Sequence, residues 1–220
     1  MITAYKIINA SIPTVSPSDD PSFALELMDD FRVGHLPVVE QGKFLGLVTE
    51  TVLLSAEDKI SDPSFNYTNL IQQSILPSEH ILEVLKLVSE QHLSLVPVVD
   101  NEGIFLGSIT LEDLVDRLSV MQGASQRGGI IVLEMSEKDY SLQQIARIVE
   151  ENDAKILSTS VNQGDNGMLE INLKINEPDL NAILQSLERF NFSIKASYQE
   201  PEYTEDLKKR YEELMRYLNI

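Results

Sequence analysis

The chain has 220 residues, of which 43% are hydrophobic and 24% charged, with a formal net charge of -18 and no cysteine. This is the composition of a globular chain long enough for one large core or two or three smaller ones, and its acidity excludes phosphate backbones and anionic lipid heads as main partners. The missing cysteines exclude disulfides, thiolate nucleophiles and zinc–thiolate centres.

Acidity is concentrated in the first half, where residues 1–123 carry 18 acids against 6 bases, while residues 124–220 carry 17 against 11. The pairs Asp19-Asp20, Asp29-Asp30 and Glu57-Asp58 read as helix starts and solvated loops rather than metal cages. No apolar run approaches the ~18 residues of a membrane span, and the opening "MITAYKIINA" lacks a signal-peptide layout. The expected location is the cytoplasm, with no membrane partner.

In chain order, the first pattern is an amphipathic stretch "SFALELMDDF", then "HLPVVE" at 35–40, a turn "EQGKF", and an apolar run through Gly46 to Thr49. The same frame then returns as "HILEVLKLVSEQ", "LVPVVD" at 95–100, "DNEGIF" and "GSITLEDL" at 107–114. A shift of 60 superimposes the Pro-Val-Val runs, and a shift of 61 superimposes Gly46 on Gly107 and Thr49 on Thr110, so the extra residue falls in the turn. Leu82, Leu85 and Val88 fall at helical spacing, and the Val-Val pairs between a proline and a glycine turn suit short buried strands. Each copy reads strand, helix, strand, turn, strand, helix. Neither can bury its apolar face alone, so the two are expected to pack about a pseudo-two-fold axis as one domain.

"LPVVEQGKFLGLVT" and "VPVVDNEGIFLGSITLEDL" together resemble a tandem pair of cystathionine-β-synthase (CBS) domains, the Bateman module, over residues 1–123, with copy one at about 1–60 and copy two at about 61–123.

Only the second copy carries an acid, Asp113, three residues after its threonine; the first has Val52 there. A threonine ending a strand and opening a helix caps backbone N–H groups, an end that attracts phosphate, and an acid one turn on can accept hydrogen bonds from vicinal ribose hydroxyls. Ser108 alternates onto the face of Thr110. The same Thr-x-x-acid spacing is also a capping box, in which Asp113 returns a bond to the Thr110 N–H. The duplicated context favours a ligand site, because copy one shows that this helix tolerates the loss of the acid.

The resemblance to CBS nucleotide motifs implies phosphate contact by Thr110, ribose contact by Asp113, and a base held by Ser74, Ile75, Leu95, Val96 and Pro97. With Arg117 the nearest base in sequence, a monophosphate fits this acidic setting better than a triphosphate. AMP is the first expected ligand, with ADP, ATP and S-adenosylmethionine as relatives of it.

After "MQGASQRGG", a linker composition that places a boundary at 124–128, the pattern runs through a strand "IIVLEM", a helix from about Tyr140 to Glu151, a strand "AKILSTSVN", a turn "QGDNG" and a strand "MLEINLKI". A helix opening at Pro178-Asp179 and a strand "FSIKASYQ" complete it. The order β-α-β-β-α-β is ferredoxin-like. Following a CBS pair, it resembles an ACT-like domain over 129–200, as in acetoin-utilisation type CBS–ACT proteins. The first turn, "SEKDY", lacks the glycine common in amino-acid-binding ACT domains, so the expected role is dimerisation or docking.

The tail from Thr204, with Leu207, Tyr211, Leu214 and Leu218 on one stripe, reads as a helix over residues 201–220. The fold class expected is therefore mixed α/β: a CBS pair, a ferredoxin-like domain and a C-terminal helix, assembled as a homodimer.

His35, His80 and His92 lack metal-ligand spacing, and no nucleophile triad or Walker lysine is present. His35 and His92 are expected to pack or hydrogen-bond at helix ends. The chain reads as a non-enzyme without a required cofactor or metal, sensing an adenine nucleotide for a protein partner the sequence does not name. The alternative is a dimeric scaffold with a vestigial CBS pair.

Overall fold

A computed structural model describes residues 2–55, 67, 69–164, 167–199, 213 and 215–217. The chain divides into two compact units, Met1–Arg117 and Leu118–Ile220.

In the first unit, repeat one comprises α1 (Pro21–Asp30), β1 (His35–Glu40), β2 (Lys43–Thr49) and α2 (Glu50–Leu54). Repeat two comprises α3 (Ile81–Gln91), β3 (Leu95–Val99), β4 (Phe105–Thr110) and α4 (Leu111–Met121), the last turn of which passes into the second unit. Asp20 caps α1 by accepting from Ser22 N at 2.8 Å, with Pro21 at the first helical position where no donor is lost. The β1–β2 turn is Gln41-Gly42, both at positive φ (50° and 82°), as a right-twisted two-residue hairpin requires. In repeat two the inserted residue is absorbed by Asp100, whose Oδ1 accepts from Glu102 N and Ile104 N, each at 2.9 Å. Both hairpins carry the same bulge, at Val38/Val39 and at Val98/Val99.

Two sequence expectations change here. The first strand of each copy shrinks to single parallel bridges, Val15 to Val38 and Ile75 to Val98; prolines 13, 17 and 77 flank these points and cannot donate to a ladder. On α3 the buried face runs through Ile81 and Val84, while Leu82 is 51% exposed, because this helix is apolar on more than one side and the periodicity did not select the stripe.

The repeats are tied together by exchange. The segment before repeat one crosses to repeat two, where Asn9 bridges Ser108, and the segment before α3 crosses to repeat one, where Ile71 bridges Leu47. Each repeat therefore completes a four-ribbon sheet: Val15, β1, β2, Ile71 in one, and Ile75, β3, β4, Asn9 in the other. The hairpins also pair end to end through Phe44 N to Gly103 O at 3.0 Å and Phe105 N to Gly42 O at 2.9 Å.

His35 lies at the start of β1 rather than at a helix end, and it joins the repeats. Its Nδ1 lies 2.9 Å from Ser94 Oγ and accepts from Ser94 N at 3.2 Å, while Gly34 N donates to Ser94 Oγ at 3.0 Å. A second proton on Nδ1 would face the Ser94 N–H. Burial holds this imidazole below the ordinary histidine value of 6.5. Because the folded value is the lower one, its stabilisation is complete above 6.5 and is lost as pH falls from 6.5 toward the folded value. The melting temperature of the wild type should therefore drop relative to His35→Gln on acidification below neutrality; a difference that stays constant with pH contradicts this role. His92 does end a helix, at φ 52° after α3.

In the second unit, β5 (Gly129–Met135), α5 (Leu142–Glu150), β6 (Ile156–Gln163), β7 (Leu169–Ile175), α6 (Asn181–Arg189) and β8 (Ser193–Tyr198) form an antiparallel sheet of order β6-β7-β5-β8, the ferredoxin-like arrangement. Ile131, Leu133, Ile171 and Leu173 alternate onto one face and pack with Ile145, Ile148, Ile183 and Leu187. Strand β6 begins at Ile156, two residues after the expected Ala154. Helix α6 begins at Asn181 rather than at Pro178, since Asp179 Oδ1 takes the Asn181 N–H at 3.0 Å and holds the preceding residues as a turn. Among the described residues no helix is long and apolar enough to cross a membrane. The junction between the copies near 60–61, the turn residues 165–166 and the tail stripe from Thr204 to Leu218 lie outside the described residues.

Candidate functional site

Strand β4 delivers Ser108 and Thr110 on one side and runs directly into α4. Thr110 Oγ1 accepts from Asp113 N at 3.1 Å, capping the helix, and Asp113 Oδ2 takes both the Thr110 N–H at 3.0 Å and the Thr110 hydroxyl at 2.6 Å. The reciprocal capping box read in the sequence is thus formed. Beyond this box, the side chain of Asn9 donates to Asp113 Oδ1 at 3.4 Å and to Oδ2 at 3.3 Å.

The ladder register sorts the remaining candidates. Leu95 opposes Thr110 and Pro97 opposes Ser108, so these four share a face, which Asn9 joins through its bridge to Ser108. Ser74 alternates onto this face and is exposed. Ile75 and Val96 alternate onto the opposite face, although Leu95, Pro97 and Ser108 are buried too, and the Ile75 backbone is already spent on Pro97 O and Val99 N, both at 2.9 Å. The candidate face thus gathers Ser74, Leu95, Pro97, Ser108, Thr110 and Asp113, while Ile75 and Val96 lie on the other side of the strand.

Ser108 is 0% exposed, and its hydroxyl has no hydrogen-bond partner. A buried hydroxyl left unsatisfied costs ~1–3 kcal/mol, a penalty that a ligand atom removes once the groups covering the hydroxyl move aside. Repeat one places Leu47 at this position, fully buried and apolar. It also places Val52 where Asp113 stands, although Thr49 Oγ1 still caps α2 by accepting from Val52 N at 3.2 Å, and Ile71 where Asn9 stands. Three polar groups converge in repeat two where repeat one has three apolar ones, around a threonine common to both.

The duplicated glycines are explained by the exchanged segments. Gly46 and Gly107 both have φ 144°, and a Cβ on Gly46 would lie 2.5 Å from Leu70 Cβ, while one on Gly107 would collide with Ile8 Cγ2. Each glycine lets a crossing segment approach its strand. On Gly107 that crossing also seats Asn9, a residue that sequence reasoning missed. Asn9 precedes the region where the copies align and pairs with its counterpart Ile71 at a shift of 62, outside the 60–61 that reveals the repeat.

The second unit has a separate cavity of about 690 Å³, bordered by Glu134, Lys138, Tyr140, Gln144, Phe190 and Phe192. The "SEKDY" turn beside it is closed by Ser136 Oγ donating to Asp139 Oδ2 at 2.6 Å.

The CBS domain family pattern matches residues 4–59 and 68–120. The chain is 23% identical over 151 residues to an inosine-5'-monophosphate dehydrogenase of Methanocaldococcus jannaschii, an alignment covering 67% of this chain but only 30% of that protein. A solved structure of CBSX2 in complex with AMP is 22% identical, with a TM-score of 0.47, over 54% of this chain and 96% of the other. A solved structure from Vibrio cholerae, assigned by similarity to acetoin utilization (AcuB), is 21% identical, with a TM-score of 0.48, over 57% of this chain and 96% of the other.

Proposed function

Because the chain belongs to the CBS-domain family, with two CBS domains in tandem over residues 4–59 and 68–120, we propose that it is a non-catalytic regulatory protein that binds an adenosyl compound, AMP first, on the second repeat. The observation that carries this reading is the polar convergence on one repeat only: a partnerless buried hydroxyl on Ser108 beside a carboxylate and a capped helix start. Thr110 and the start of α4 would face the phosphate, Asp113 the ribose diol, and Leu95 and Pro97 the base, with Ser74 at the exposed edge. Occupancy would be relayed to a partner protein through the ferredoxin-like, ACT-like unit of a homodimer. Such a relay requires that the ligand bind two conformations with different affinity.

A scaffold with a vestigial CBS pair is favoured by one observation, that Asp113 already closes a complete capping box. Ser108→Ala separates the readings. Removing a partnerless hydroxyl should leave the ligand-free melting temperature unchanged or higher, while losing a ligand hydrogen bond should weaken AMP binding ~2–10-fold. Thermal unfolding and an AMP titration on the same variant measure both. AMP affinity equal to wild type would remove Ser108 from the site, and with it the observation on which this reading rests.

A further inference from the structure

Asn9 is held at both ends of its side chain. Its Oδ1 accepts from Ser11 N at 3.0 Å, which fixes which end of the amide is the donor, and its Nδ2 lies across both carboxylate oxygens of Asp113 at 3.3 and 3.4 Å. Asp113 Oδ2 is otherwise occupied by the two Thr110 donors, so the positions spanned by Asn9 are the acceptors left for another molecule. A vicinal diol needs those same two oxygens. Both Asn9 contacts are long for hydrogen bonds, whereas a diol at ordinary distance makes shorter ones.

Resting on the reading of the second-repeat site above, we propose that Asn9 is an internal competitor of the ribose diol: a latch that occupies Asp113 when the site is empty and is displaced when it fills. Asn9 sits on the segment that crosses from repeat one to repeat two. That segment is anchored to repeat two by Ala4 N to Glu79 O at 2.8 Å, Tyr5 N to Pro77 O at 3.0 Å and Asn9 N to Ser108 O at 2.8 Å. It continues into the Val15 bridge of repeat one. Displacement of the Asn9 amide therefore reports occupancy of one repeat to the chain of the other. Repeat one has no counterpart of the latch, since Ile71 and Val52 stand where Asn9 and Asp113 do, and neither side chain can donate or accept a hydrogen bond.

The test is Asn9→Ser in the whole 220-residue chain. A serine hydroxyl at this position can still accept from the Ser11 N–H but is too short to reach Asp113. Titrated with AMP, the variant should bind ~3–10-fold more tightly than wild type, the worth of one modest hydrogen bond no longer displaced. Titrated with 2',3'-dideoxy-AMP, which has no diol to compete, it should bind no more tightly than wild type. Equal or weaker AMP binding in Asn9→Ser, with AMP binding still lost in Asp113→Ala, overturns the latch and leaves the site reading intact. Equal tightening for both nucleotides also overturns it, since the gain would then be general to the segment. If AMP binds neither wild type nor Asn9→Ser, the site reading fails and the latch falls with it.

Discussion

Gly107→Ala should lower the stability of the first unit by roughly 2–5 kcal/mol, combining the strain of a non-glycine residue at positive φ with overpacking against a crossing segment. In a chain of this size that corresponds to a drop in melting temperature of about 5–15 °C. The backbone at Gly107 has φ 144°, and its added methyl would meet the Ile8 side chain. Gly42→Ala is the internal control: φ is 82° there, but nothing lies within 4 Å of the new Cβ, so only the backbone strain remains. Thermal unfolding of the two variants side by side bounds the part due to the crossing, since the backbone at φ 144° is itself harder for alanine to adopt than at φ 82°. If Gly107→Ala melts no lower than Gly42→Ala, close approach of the Ile8-Asn9 segment is not what selects glycine in the repeated frame. Because Asn9 follows Ile8 directly, Gly107→Ala should also misplace the group that meets Asp113.

Asp113→Ala should abolish most adenosyl affinity, by ~100-fold or more, since a carboxylate accepting from two ribose hydroxyls makes two charge-assisted hydrogen bonds worth ~1.5–3 kcal/mol each. The same change removes the acceptor of the Thr110 N–H and hydroxyl. It should therefore also cost ~0.5–2 kcal/mol of ligand-free stability, the usual worth of a helix cap. Measured AMP affinity and ligand-free melting temperature separate the two effects. A lower melting temperature with unchanged AMP affinity would leave Asp113 a cap and nothing more.

The architecture was legible because it is written in periodic patterns. The Pro-Val-Val runs, the glycine turns and the alternation of Ile171, Leu173 and Ile175 each depend on local rules that the structure obeys. Expectations slipped where competition is local: Asp179 hydrogen-bonds a turn and delays α6, prolines reduce the first strands to bridges, and an apolar α3 offers more than one stripe. At the candidate site, Thr110, Asp113 and Ser108 could be read from spacing and alternation, because they lie within one strand–helix junction. Asn9 could not, since its meeting with Asp113 spans 104 residues and depends on an exchanged segment. The same exchange explains why Gly46 and Gly107 are both needed while the carboxylate is needed once: the glycines serve packing in both repeats, and the acid stands only where Ser108 and Asn9 join it.

Whether the second repeat holds an adenosyl ligand is decided most directly by a calorimetric titration of AMP into the wild-type chain, repeated with S-adenosylmethionine and with Asp113→Ala. The expected result is saturable binding of one adenosyl ligand per chain, lost in Asp113→Ala, because only repeat two presents the polar set. Absence of binding by either compound, or binding at two equal sites per chain, would contradict it.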